Sequence, residues 1–121
     1  MPARALRIVI IEDNHNTADW LARLLRMVGH IVDVAYSGEE GIQAATRCSA
    51  DAVVSDINLP GLDGWEVARQ LRARAATAKT RLIAVTGYCE NDAACRARDS
   101  GYDFLVAKPA DPLDLLSLLM W

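Results

Sequence analysis

The stretch AVVSDINLPGLDG, residues 52–64, decides how the rest of the chain is read. Its first part is continuously apolar, as a strand buried on both faces is, and double burial belongs to parallel sheets covered by helices. The run ends in a carboxylate, Asp56, just before the turn-forming residues Asn58, Leu59, Pro60 and Gly61. Burial penalises a charge there unless another group answers it. The question is what Asp56 meets.

Four further apolar runs, at residues 6–11, 31–35, 82–86 and 104–107, predict strands to join the one at 52–55. Helical patterns separate them. Leu21, Leu24, Leu25 and Val28 make one apolar face, stopped by Gly29. A second helix begins at Ser37, whose capping box closes with Glu40, and turns Ile42, Ala45 and Cys48 inward. A third has Asp63 as N-cap with Glu66 at the reciprocal position, then Val67, Ala68 and Leu71. A short fourth covers residues 91–100. The last starts with Asp111 as cap and Pro112 in its first turn, followed by Leu113, Leu116 and Leu119 or Met120. Alternating strand and helix predicts a doubly wound α/β sheet, because parallel neighbours need helical crossovers.

At 121 residues the chain is expected to form a single domain, residues 1–121, with a core that needs neither disulfides nor a structural metal. A net charge of −3 gives no basic footprint for nucleic acid. Cys48, Cys89 and Cys95 lack metal-ligand spacing and are expected as buried or half-buried thiols. There is no long apolar run and no leader pattern at the start, so a cytoplasmic protein without membrane insertion is expected.

Ligands of open parallel sheets bind outside the carboxyl ends of the strands. There the sequence sets Glu12, Asp13 and Asn14 after the first strand, Ser55 to Asn58 around the end of the third, Thr86 and Gly87 after the fourth, and Lys108 and Pro109 after the fifth. Each has an ordinary explanation alone: a solvated helix start, a turn, a β-branched strand terminus, a surface lysine. Together they bring carboxylates, a hydroxyl and an ammonium to one sheet edge. Carboxylates about 4 Å apart repel by about 4 kcal/mol at an effective dielectric of about 20. Lys108 can neutralise one charge and a divalent ion the rest, and an all-oxygen set favours Mg²⁺ over zinc. His15 stands nearby, but one imidazole without a partner His or Cys makes no transition-metal site.

The segments IVIIEDN, VVSDINLPGLDGWEVARQLR, LIAVTG and GYDFLVAKPADP resemble, in this order, the receiver domains of two-component response regulators. The resemblance covers nearly the whole chain and implies a flavodoxin-like fold with strand order 2-1-3-4-5. It implies that Asp56 is the phosphoacceptor, that Glu12, Asp13, Asp56 and the Asn58 backbone carbonyl hold Mg²⁺, and that Thr86, Gly87 and Lys108 receive the phosphoryl group. It further implies a cis bond at Pro109, and as partner a histidine kinase or a histidine phosphotransfer protein. The ending AKPADPLDLLSLLMW looks more like receivers of hybrid sensor kinases, so the chain is expected to be part of a longer one or to stand alone.

One position departs from the family pattern. Many receivers carry an aromatic three residues before the lysine; here it is Leu105, which is expected either to pack in the core or to leave gating to Tyr88. Trp20, Trp65 and Trp121 are open to two readings, core packing or partner docking. A haloacid-dehalogenase-like hydrolase would need a second Asp two residues after Asp56, where this chain has Asn58. A flavodoxin-like cofactor site would need a phosphate cradle where this chain has Glu12 and Asp13. A degenerate receiver would lack the acceptor, the acidic pair, the threonine or the lysine, and all are present.

Overall fold

The computed structural model describes residues 5–87, 93–108 and 110–119. The elements alternate: β1 (Arg7–Ile11), α1 (His15–Met27), β2 (Ile31–Ala35), α2 (Gly38–Cys48), β3 (Ala52–Asp56), α3 (Gly64–Arg72), β4 (Arg81–Thr86), α4 (Ala93–Ser100), β5 (Phe104–Ala107) and α5 (Pro112–Leu119). All strand pairs are parallel, in the order β2-β1-β3-β4-β5. This is the doubly wound sheet expected from the sequence.

Alternate side chains of each strand enter opposite layers. Val9, Ile11, Val53, Leu82 and Ala84 pack with α2, α3 and Ala97 of α4. Ile8, Ile10, Val54, Ile83 and Val85 pack with Ala18, Ala22 and Leu25 of α1 and with Leu115 and Leu119 of α5. The charge at the end of β3 therefore leaves a strand buried at every position.

Polar residues set the helix boundaries. Asn14, Ser37 and Asp63 accept hydrogen bonds from the amides of Thr17, Glu40 and Glu66, three residues on, which satisfies donors that the first turn leaves open. Asp111 accepts from the Leu113 amide at 2.8 Å. At the other end of α4, Gly101 takes φ 116°, which only glycine adopts readily. The Gly101 amide then donates to Arg98 O at 3.0 Å and the Tyr102 amide to Ala97 O at 2.9 Å, a Schellman closure. Arg72 braces this corner through Gly101 O at 2.9 Å, Thr80 O at 2.6 Å and the Asp103 carboxylate at 2.9 Å.

Several inward faces differ from the sequence reading. Val28 is 52% exposed, because α1 ends at Met27 and Val28 is already its cap. In α5 the buried residues are Leu115 and Leu119, while Leu113 is 70% exposed and Leu116 half-buried. That helix is leucine on nearly every side, so its pattern offers little polar contrast. Cys48 is half-buried but Cys95 is exposed on α4. Trp65 is buried and Trp20 exposed. Cys89, Met120, Trp121 and the first two residues expected for the fourth helix lie outside the described residues.

Candidate functional site

The site forms where β1, β3 and β5 end on the same edge. Glu12 follows β1, and its amide donates to Ala35 O at 3.0 Å, which holds it against the end of β2. Asp56 is the last residue of β3, paired in register with Val85 of β4. Lys108 follows β5, and its amide donates to Thr86 O at 2.8 Å. Parallel register carries residues from distant parts of the sequence to one corner.

There the charges converge. One carboxylate oxygen each from Glu12, Asp13 and Asp56 lies within 4.8 Å of the others. Glu12 and Asp56 are each 6% exposed, whereas Asp13 is exposed to solvent. The Lys108 ammonium donates to Asp56 Oδ2 at 2.8 Å and to Glu12 Oε1 at 3.2 Å. The other Asp56 oxygen, Oδ1, accepts from the Asn58 amide at 3.1 Å. Among the described residues Glu12 Oε2 is buried with no hydrogen-bond partner.

These contacts set the protonation. Burial raises the Glu12 pKa to about 7, and the neighbouring Asp56 carboxylate adds to this, while Lys108 opposes. Burial disfavours the Lys108 charge, but the hydrogen bond and attraction of Asp56, then of Glu12, outweigh it and raise its pKa. Without further cations the corner is short of positive charge. An orphaned carboxylate oxygen beside an all-oxygen donor set is what a hard divalent cation fits.

The other expected site residues take up nearby positions. Thr86 is buried at the end of β4, and Gly87 follows it against the Lys108 stem, where an added Cβ would lie 3.8 Å from Lys108 Cδ. Asn58 is brought to Asp56 by its amide. Leu105 is half-buried and packs against the layer containing Trp65 and Tyr102. Tyr88 and Pro109 lie outside the described residues. His15 is not in the acidic group; its ring stacks on Tyr36, with centroids 3.7 Å apart.

A cavity of about 960 Å³ holds Glu12, Asp13, Asp56 and Lys108 and extends beside α1 to Trp20 and Leu21. Nothing in the linear pattern of α1 pointed to this extension. The sequence reading also left Tyr102 unremarked, although its hydroxyl donates to Gly64 O at 2.7 Å behind the phosphoacceptor candidate. The usable signal was a polar-tipped aromatic directly after a helix-ending glycine, since a buried Tyr needs a partner for its hydroxyl.

Comparison with known proteins agrees with this architecture. The chain is 34% identical over 113 residues to the transcriptional regulatory protein HprR of Escherichia coli, covering 93% of this chain and 49% of that protein. It is 32% identical over 109 residues to the sensor histidine kinase AtsR of Burkholderia thailandensis, covering 88% of this chain and 18% of the kinase. It thus spans half or less of these two relatives. The fold matches that of Vibrio cholerae chemotaxis protein CheY4 with a TM-score of 0.90 at 22% identity, over 96% of this chain and 97% of the other. The receiver domain of a sensor histidine kinase from Pseudomonas aeruginosa, whose structure has a magnesium ion coordinated in the active site cleft, matches at TM-score 0.86 and 27% identity over 96% and 95% of the two chains. No helix among the described residues is long and apolar enough to cross a membrane. With residues 8–120 matching the response regulator receiver domain model, the chain belongs to the receiver domain family of two-component signalling.

Proposed function

We propose that Asp56 accepts a phosphoryl group from a histidine kinase or a histidine phosphotransfer protein, and that the modified chain changes its partner interactions. The observation that carries this reading is the convergence of three carboxylates with the Lys108 ammonium at 2.8 Å from Asp56. A carboxylate at a rigid strand end is a nucleophile of the kind that forms aspartyl phosphates. Its oxygen forms the new bond to phosphorus as the bond between phosphorus and the donor imidazole breaks, so the donor histidine leaves unphosphorylated.

Glu12, Asp13, Asp56 and the Asn58 carbonyl would hold Mg²⁺, which when bound neutralises charge on the transferring group. Lys108 keeps Asp56 oriented and can follow the phosphoryl oxygens as they arrive. The Thr86 hydroxyl and the Gly87 amide supply hydrogen bonds at the same edge. The Asn58 amide holds the second Asp56 oxygen, which fixes the carboxylate plane. We place the module in the cytoplasm as a single receiver unit of residues 1–121, in a longer chain or alone, and its own chemistry is limited to self-phosphorylation and slow loss of phosphate. The relationship to AtsR supports a kinase-linked setting.

The test is incubation with Mg²⁺ and acetyl phosphate followed by intact mass measurement. One added phosphoryl group is expected, absent in Asp56→Asn and absent with chelator. Continuous multiple turnover would instead support a phosphohydrolase.

A further inference from the structure

Tyr102 is buried, and burial drives its hydroxyl pKa well above the ordinary tyrosine value. It therefore stays protonated and donates. Its acceptor, Gly64 O, lies 2.7 Å away at the first residue of α3. Gly64 itself rests on the phosphoacceptor backbone: a Cβ there would come within 2.5 Å of Ile57 Cα and 2.6 Å of Asp56 O. The Gly64 amide closes this contact by donating to Ile57 O at 2.9 Å. The hydroxyl thus pins, from behind, the peptide that carries Asp56.

The same residue is tied to α4 by two independent routes. Its amide donates to Ala97 O at 2.9 Å, so the end of α4 sets the position of the ring. Its ring meets Trp65 edge to face at 6.3 Å, and the Arg96 guanidinium of α4 lies 4.7 Å over the Trp65 ring. Leu105, at the position where many receivers carry an aromatic, offers no polar atom for such a link.

We propose that Tyr102 is a positioning residue that holds the segment 57–64 behind Asp56 and couples it to α4, so that phosphorylation of Asp56 is felt at the Trp65 and Arg96 surface through this hydroxyl. The inference rests on Asp56 being the acceptor.

The experiment follows the ¹⁵N-labelled chain with Mg²⁺ and acetyl phosphate, with the phosphorylated fraction read by intact mass. In the wild type the Trp65 indole and the Arg96 and Ala97 amide resonances should shift in proportion to that fraction. In Tyr102→Phe, which keeps the ring, the shifts should be lost per phosphorylated molecule, and the initial rate should fall by on the order of tenfold because the acceptor is less well placed. A merely structural role would lower the melting temperature and leave the shift per phosphorylated molecule unchanged. A wild type that gains no phosphoryl group would sink the parent reading. A wild type that gains it while Tyr102→Phe gives the same rate and shifts overturns this inference alone. If the variant does not fold, hydrogen exchange of the Gly101 and Tyr102 amides in the wild type decides: a several-fold change on phosphorylation is expected, and unchanged rates overturn the proposal.

Discussion

The Lys108 ammonium lies 2.8 Å from Asp56 and 3.2 Å from Glu12, closing contacts across 52 and 96 residues of sequence. One cation serves two buried carboxylates. Replacing it with Met should leave both uncompensated and lower the stability of the metal-free chain by about 1–2 kcal/mol, below the figure for a fully buried pair because the Lys108 side chain is one-third exposed. Saturating Mg²⁺ should then raise the melting temperature more in Lys108→Met than in the wild type. Thermal melts with chelator and with Mg²⁺ check this, and an equal Mg²⁺ effect in both proteins would contradict it.

Stability should fall with pH where most carboxylates have finished titrating. The Glu12 pKa is about 7 in the folded chain against an ordinary 4.5, so between these values the folded state holds a proton that the unfolded state has lost. The contribution is present below pH 4.5 and is lost as pH rises to 7, by about 1–2 kcal/mol once solvent screening at the cavity mouth is discounted. Urea melts in chelator at both ends of this window should show the loss. With Mg²⁺ the trend should flatten or reverse, because metal binding needs the deprotonated carboxylate.

Asp56→Asn should lower the Glu12 pKa. The neighbouring Asp56 carboxylate pushes it upward, yet burial is the larger cause, so the value should drop toward 4.5 without reaching it. A carbon-detected NMR titration of the Glu12 carboxyl resolves this. A Glu12 midpoint unmoved by the substitution would show that Asp56 does not share its field.

Gly64→Ala should disturb the site from the scaffold side. Its methyl would meet backbone at 2.5 and 2.6 Å, and backbone cannot step aside as a flexible side chain can. A loss of about 1–3 kcal/mol is expected for such overpacking, with slower phosphorylation by acetyl phosphate.

The sheet was legible because parallel strands are nearly continuous apolar runs, and its helices because Ser37, Asp63 and Asp111 announce their caps. That Glu12, Asp13, Asp56 and Lys108 share one corner followed from the rule for strand ends. What stayed hidden depends on three-dimensional packing. The inward face of α5 turns on Leu115 rather than Leu113, a choice that a helix of leucines does not spell out. Tyr102 acquires its partner only when the end of α4 and the start of α3 meet, and no local pattern encodes that encounter.

The fifth strand lies at the sheet edge, and Lys108 follows it directly. During synthesis the acidic residues at positions 12, 13 and 56 therefore emerge long before their counter-charge. A chain whose last strand has not docked holds mutually repelling acids and no ammonium to orient Asp56. The counter-charge that orients Asp56 thus arrives together with closure of the sheet.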